Sequence, residues 1–363
     1  MSLIIQGKYH YRVVNIAGFY AVGEDNKYSS FSGEYRITSS IMQSSIAEAQ
    51  VVTLTYGHEE SGIGVDGTIS TGTAVSGLAN VLINAGYEVK TVNLAQEEID
   101  PRTEILISYD PMKDFSAAEI AKITPYLAAR NAFMVFVDAA TPELKNLQDF
   151  LNDNWGINYK PFNRMTDETH SIDKYSTINA KFPTFADDVK DVSASYQIIK
   201  NVADGKGAIN TALPESVELY ARDQLTKDGF IVETVLTTYE TAVSTAKDGT
   251  TSTGEKPLAI LSTKQGYGEN NAYEYSYAML IGSTEFANYF STESYGNKQI
   301  FLSAVRNFGV NRVAPDIESK KFLSTALEIE NGTARTLTWL ICTIVPGVLI
   351  IAGIAVFLKR RHM

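Results

Sequence analysis

Val51-Val52-Thr53-Leu54-Thr55-Tyr56-Gly57-His58-Glu59-Glu60 decides the architecture of this chain. Its first six residues are β-branched or aromatic almost throughout, as suits a strand, and they run into a glycine. The polar, glycine-rich stretch 57–72 that follows reads as a loop. Thr73 then caps a helix whose Val75, Leu78 and Leu82 share one face, and Gly86 offers its left-handed stop. Tyr87 to Leu94 is a second strand and Ile105-Leu106-Ile107 a third. Ser116-Ala117-Ala118-Glu119 is a capping box, ahead of a helix whose buried face is Ile120, Ile123 and Leu127. Pro125 lacks the N–H that would bond the Ala121 carbonyl and is expected to interrupt and kink that helix. Phe133 to Val137 is a fourth strand, apolar on both faces.

Strands alternating with helices at this spacing imply βαβ units, and continuous apolar strands imply a mostly parallel sheet covered on both sides. The expected class is α/β, a mostly parallel sheet flanked by helices in a flavodoxin-like or amidotransferase-like arrangement. A further helix runs from Leu144 to Leu151 and ends near Trp155-Gly156. From about Asn158 to Glu255 the pattern loosens. Ile198, Val217, Leu219 and the run Phe230 to Leu236 suggest a β-rich insertion, with turns at Asp204-Gly205 and Asp228-Gly229. Lys247 to Lys256 reads as a polar mobile loop or linker. Leu258 to Leu261, Ala278 to Ile281 and a helix from Lys298 to Phe308 complete the sheet. The expected organisation is 1–45 as the end of an upstream domain, 46–157 as the first part of the α/β domain and 158–256 as the insertion or second lobe. Residues 257–320 complete the domain, and 333–360 form a transmembrane helix with its basic tail.

That last segment rests on an apolar run without charge, Thr336 to Leu358, closed by Lys359, Arg360 and Arg361. At ~1.5 Å per residue, about 23 residues suffice to cross a ~30 Å hydrocarbon core. Trp339 sits where an amphipathic ring prefers lipid headgroups, and the basic triplet marks the other end as cytoplasmic. Pro346 in mid-run is tolerated in lipid where neighbouring groups satisfy the freed carbonyl. The bulk of the chain is therefore expected outside the cytoplasm at a cell membrane. Residues 1–10 supply no export segment, so an upstream membrane segment is expected in the complete protein, making it two-pass. The alternative, a tail anchor with the bulk in the cytoplasm, opposes the positive-inside bias.

Composition narrows the function classes. A net charge of −11 and the lack of a basic stripe argue against nucleic acid, whose binding draws on clustered Lys and Arg. The single cysteine, Cys342, lies inside the apolar run, which leaves no intrachain disulfide, Cys-based zinc site or exposed thiol nucleophile. The four histidines lack ligand spacing. No cofactor is expected. Gly62-Ile63-Gly64-Val65-Asp66-Gly67 matches a dinucleotide fingerprint literally, but it does not join strand to helix directly, so a flexible loop is expected there.

Candidate surface residues cluster at strand ends: Gly57, His58, Glu59, Asp110, Asp138 and Ser283. His58 with Glu59 and Glu60 has the makings of a base with an orienting carboxylate, and Asp138 is placed to converge with them. No nucleophile elbow of the Gly-x-Ser-x-Gly kind and no P-loop accompanies them. The strand-end loops therefore read as a surface for a peptide, glycan or partner protein.

Several landmarks in order resemble a known family: Lys8 to Ile16; Tyr56-Gly57-His58-Glu59; Ala85-Gly86-Tyr87-Glu88-Val89 leading to Asn93-Leu94; and Asp110-Pro111-Met112-Lys113-Asp114. Leu147 to Ile157, Gly282 to Phe286, Gly296-Asn297-Lys298 to Phe308 and the closing apolar run continue the series. Together they resemble the GldG-like auxiliary proteins of ABC-type, gliding-motility-related transport systems, whose α/β domain is similar to one in an intraflagellar-transport protein. The resemblance implies a noncatalytic accessory subunit partnered by an ABC permease, an ATPase and membrane lipid. Two positions depart from the family pattern: Glu59 stands where Gly-His-Gly-Glu has glycine, and Gly282-Ser283-Thr284-Glu285-Phe286 replaces a Gly-Asp-Ser-Asp-Phe type segment. The alternatives are a degenerate hydrolase or amidotransferase-like cell-envelope enzyme, and an adhesion or scaffold module.

Overall fold

Seven strands build the central sheet: β1 (Val51–Thr55), β2 (Glu88–Val92), β3 (Thr103–Tyr109), β4 (Ala132–Phe136), β5 (Phe230–Thr237), β6 (Pro257–Tyr267) and β7 (Tyr273–Ile281). Their spatial order is β5-β6-β7-β4-β3-β1-β2 in the computed structural model. This structure describes residues 1–22, 27–47, 50–173, 176–203, 210–222, 229–267, 273–291, 295–308, 317, 320–322 and 346. β2, β1, β3, β4 and β7 run parallel to one another, whereas β6 is antiparallel to both β5 and β7. The chain leaves β1 for β2 on one side and then crosses to β3 on the other. The order therefore reverses between β1 and β3, the switch point where open α/β sheets leave a crevice at their carboxyl edge.

The helices are α1 (Gly33–Ser44), α2 (Ala74–Ala85), α3 (Ala117–Ala128), α4 (Lys145–Trp155), α5 (Ala194–Ala203) and α6 (Asn297–Phe308). Successive side chains of a strand face opposite ways, so each strand feeds two cores. Val52, Leu54, Ile105, Ile107, Met134 and Phe136 pack with Leu78, Leu82, Ile198, Phe301 and Ala304 of α2, α5 and α6. Leu106, Phe133 and Val135 pack with Ile123, Leu127, Leu147, Leu151 and Trp155 of α3 and α4. Burial on both faces is why these strands lack polar alternation. Local signals set the helix ends: the Thr73 side chain accepts from the Ser76 N–H, Gly86 closes α2 at φ 110°, and the Ser116–Glu119 capping box is complete.

Several sequence expectations differ from the structure. Pro125 lies within α3 without ending it: the loss of one N–H near the C-terminus is outweighed by burial of Ile123, Tyr126 and Leu127. Ile198 belongs to a helix, its neighbours Ile199 and Val202 completing a buried face of α5. Phe230–Thr237, read as part of the insertion, is the edge strand β5 of the central sheet. Lys247–Lys256 contains the strand Thr251–Thr253, which pairs in a hairpin with Val243–Thr245. That hairpin joins Ile157–Thr166 and Val217–Ala221 in a separate antiparallel four-stranded sheet. The turn at 204–205 and Asp228 of the turn at 228–229 lie outside the described residues.

The chain divides into two compact units, residues 1–20 with 32–319, and residues 21–31 with 320–363. In the first, the hairpin of Ser2–Gln6 and Tyr11–Asn15 precedes α1. In the second, Tyr28–Phe31 pairs antiparallel with Lys320–Lys321. Among the described residues no helix is long and apolar enough to cross a membrane. The run 336–358 and the basic tail, with Trp339, Lys359, Arg360 and Arg361, lie outside the described residues, Pro346 apart.

Candidate functional site at the sheet switch point

Two polar networks occupy the carboxyl edge of the sheet. The first grows from the end of β1. Gly57 turns the chain at φ 109° and Glu59 adopts φ 60°, so His58 between them is directed inward while Gly57 and Glu59 face solvent. The imidazole is only 3% exposed. Its Nδ1 lies 3.0 Å from Glu60 Oε1 and its Nε2 3.1 Å from Glu119 Oε1. The ring stacks on Phe115 with centroids 3.8 Å apart. Glu60 Oε2 also accepts from the His58 backbone N–H at 2.7 Å, and the His58 carbonyl accepts from Met112 and Lys113 N–H at 2.9 and 3.0 Å.

An ionised carboxylate only accepts hydrogen bonds, so the ring satisfies both partners when both its nitrogens are protonated. Burial works against the charged ring, but the hydrogen bonds and charges of Glu60 and Glu119 outweigh it and raise the pKa above 6.5. At Glu119 burial is likewise outweighed, by Ser116 and by His58, and its pKa is lowered. Glu119 thus has two roles, capping α3 and clasping His58. Only the first is visible in the sequence, because the second joins residues 61 positions apart.

The second network joins the ends of β3, β4 and β7. Asp138 Oδ2 accepts from Thr284 Oγ1 at 2.6 Å and Oδ1 from the Ala140 N–H at 2.7 Å, while the Asp138 N–H donates to Thr141 Oγ1 at 2.8 Å. The Tyr109 hydroxyl donates to the Thr284 carbonyl. Ser283, fully buried, donates to the Pro214 carbonyl at 2.5 Å. Asp110 is half-buried with φ 56°, a conformation that costs a non-glycine residue energy. Its carboxyl is pushed up to about 7, first by burial and then by the charges of Asp138, Glu285 and Glu60. Burial and Asp138 also raise Glu285.

The structure therefore brings Asp110, Asp138, Thr284 and Glu285 together and places His58 in the neighbouring network. As surface residues the candidates divide: Gly57 and Glu59 are exposed and Asp110 partly so, whereas His58, Asp138 and Ser283 are buried in internal hydrogen bonds. His58 does not pair with Asp138, because Glu60 and Glu119 occupy both its nitrogens. The 62–67 loop is a closed hairpin, with Ile63 bridged to Ile69 and the Gly64 N–H bonded to the Thr68 carbonyl at 2.8 Å. It ends before the Thr73 cap and presents no phosphate cradle to α2. Among the described residues no group of three or more His, Cys, Asp or Glu is arranged to hold a metal ion.

The raised Asp110 pKa has a defined consequence. Between about pH 4 and pH 7 the folded chain holds a proton that the unfolded chain has released, so stability falls as pH rises through this range. Asp110→Asn is expected to flatten that slope and to gain about 1–2 kcal/mol over wild type at pH 8, the full worth of the shift being cut by solvent screening. Urea melts of both proteins at pH 5 and pH 8 check this.

No family model matches the chain, and no curated protein matches it. Among solved structures it is similar to the mmIFT52 N-terminal domain, with 14% identity, a TM-score of 0.49, and coverage of 74% of this chain and 99% of that one. It is also similar to the cytoplasmic protein STM3548 from Salmonella typhimurium, with 11% identity, a TM-score of 0.40, and coverage of 70% and 97%.

Proposed function

We propose that the chain is a noncatalytic, membrane-anchored accessory subunit of an ABC-type transporter, its α/β domain lying outside the cytoplasm and engaging the permease or a substrate. One observation supports the noncatalytic part of this reading: His58, the histidine at the switch point, is buried and both its nitrogens are held by carboxylates. A general base must reach the proton it abstracts, and this ring is committed to its own fold. The apolar run 336–358 with its basic end supports the anchor, and the ordered landmarks support the transporter partnership. The reading needs no cofactor, and the energy for transport would come from a partner ATPase. Extraction of the tagged chain from its native membrane in mild detergent is expected to bring down a permease and an ATPase; recovery of the chain without either contradicts the assignment.

A second reading is favoured by a different residue. Asp110, with its carboxyl near neutrality at a sheet switch point and a strained backbone, has the properties of an acid–base group in a degenerate hydrolase of the cell envelope. Turnover of a glycan or peptide from a broad panel, abolished in Asp110→Asn, would establish this reading in place of the first.

A further inference from the structure

The N-terminal hairpin has two unlike faces. Side chains alternate along a strand, and in the register of Ser2–Gln6 with Tyr11–Asn15 the pairs Ile4–Val13 and Gln6–Tyr11 point one way, the pairs Leu3–Val14 and Ile5–Arg12 the other. The second face is seated on α1. Val14 is buried there, and the Ser44 carbonyl at the end of α1 accepts from the Tyr9 and His10 N–H groups at 3.1 and 3.2 Å. The first face is open: Ile4, Tyr11 and Val13 are 67%, 64% and 59% exposed, and Tyr9 at the turn is half exposed.

The plainer explanation is that these are ordinary exposed side chains, with Ile4 and Val13 steadying the ribbon as a cross-strand pair. Single exposed apolar residues call for nothing more, whereas a contiguous set on one seated surface marks an interaction site. Charge says of what kind. From Met1 to Val22 the sequence has Lys8, His10 and Arg12 and no Asp or Glu, in a chain of net charge −11. Lys8 is exposed, and its Nζ lies 4.8 Å from the centre of the Tyr9 ring, a contact that leaves its charge in place. Neither Lys8 nor Arg12 meets a carboxylate among the described residues.

A face of isoleucine, valine and tyrosine beside unpaired cations has the composition suited to the boundary between lipid headgroups and acyl chains. A twofold contact between copies would instead set two such cationic hairpins against each other. The chain also ties this face to a bilayer. The hairpin leads through residues 16–27 into Tyr28–Phe31, which pairs with Lys320–Lys321, and the apolar run begins at Thr336. At no more than ~3.6 Å per residue, the chain from Lys321 to Thr336 spans at most about 55 Å. A surface on so short a tether meets the bilayer at a high effective concentration, so a small face with few charges suffices.

We propose that the open face of this hairpin lies against the bilayer, with Ile4, Tyr11 and Val13 entering the headgroup boundary and Lys8, beside Tyr9, meeting the phosphates of anionic lipids. The contact rests on the membrane-anchored reading of the chain. Through it the α/β unit is held to the membrane surface instead of swinging on its tether.

The full-length chain with Cys342→Ala and Gln6→Cys carries one thiol, on the open face, for an environment-sensitive dye. In vesicles of phosphatidylcholine with phosphatidylglycerol its emission is expected to move to the blue and to be quenched by lipids that carry a nitroxide at the headgroup. The same dye on Ser252→Cys, in the separate four-stranded sheet, should stay unquenched. Lys8→Glu should cut the quenched fraction at least about fivefold, and Tyr11→Ser with Val13→Ser should do the same, while the α/β unit melts as in the parent. Vesicles of phosphatidylcholine alone should give little quenching. The proposal is overturned if the Gln6 label is unquenched in anionic vesicles, if the Ser252 label is quenched as strongly, or if neither Lys8→Glu nor the loss of anionic lipid reduces the effect. An alkaline wash of the vesicles tests the anchor separately. A chain that stays in the vesicles without quenching at Gln6 overturns the hairpin contact alone, whereas a chain quenched at neutral pH and released by the wash overturns the anchor and supports the contact. Should the Gln6 label disturb the hairpin, Ser2→Cys on the same face carries it.

Discussion

His58→Leu is expected to destabilise the α/β domain by about 3–5 kcal/mol at neutral pH, because it leaves Glu60 and Glu119 as buried carboxylates without their shared partner. Total stabilities of domains are about 5–15 kcal/mol, so the variant should be close to unfolding. His58→Gln, which keeps a donor, should cost less. The loss should shrink toward pH 4, where the orphaned carboxylates can take up protons. In the wild-type chain the clasp has a window. His58 titrates above its ordinary 6.5 when folded, so its contribution is complete below that value and is lost as pH rises through the folded pKa. Glu119 titrates below its ordinary 4.5 when folded, so its contribution is complete above that value and is lost as pH falls through the folded pKa. The two contributions overlap fully between these values. Urea melts of wild type and both variants from pH 4 to pH 8 measure the effect; a His58→Leu loss below about 1 kcal/mol at pH 6 would remove the clasp from the argument.

Asn297→Ala is the second substitution with a large expected effect, about 3 kcal/mol. Asn297 is fully buried at the start of α6. Its Oδ1 accepts from the Ala212 N–H at 3.0 Å, and its Nδ2 donates to the carbonyls of Ala212 at 2.7 Å and Phe286 at 3.0 Å. One amide therefore joins the strand Ala212–Pro214, the 3₁₀ segment Thr284–Ser291 and α6. Removing it strands three buried backbone groups, each of which costs about 1–3 kcal/mol when no other partner is found. Asn297→Asp should be worse than alanine, since it sets a buried carboxylate against two carbonyl oxygens. Denaturant midpoints should fall in both variants with little change in the slope of the transition. An alanine variant within about 0.5 kcal/mol of wild type would show that the amide is replaceable.

The sequence made legible what is locally determined. β1 and β4 declared themselves through apolar runs, α2 through Thr73 and Gly86, and α3 through its capping box. Legibility failed where distant pairing decides. Phe230–Thr237 carries Glu233, Thr234 and Thr237 and looks unlike the other strands, because Glu233 accepts from the first N–H groups of α5 and Thr237 bridges Lys181; its place is set by register with β6. Pro125 lacks a donor yet stays inside α3, where burial of its neighbours outweighs the local rule.

The site divides in the same way. His58 is identifiable in the sequence as an unusual residue at a strand end, but its burial between two carboxylates is not. Its burial arises because the Met112–Phe115 segment closes over it and Glu119 arrives from another helix, contacts with no local trace. Asp110 was identifiable as the residue ending β3, whereas its proximity to Asp138 and Glu285 depends on the order of β3, β4 and β7 in the sheet.

The central claim is that the switch-point histidine is a structural clasp and not a base presented to substrate. A titration of the ring nitrogens by nuclear magnetic resonance, with His58 assigned through its substitution, tests it most directly. The expected result is a His58 ring whose titration midpoint lies above 6.5, so that the form protonated on both nitrogens predominates at pH 6.5. A His58 ring that is neutral at pH 6.5 and titrates at or below the ordinary histidine value would contradict the clasp, and with it the noncatalytic reading.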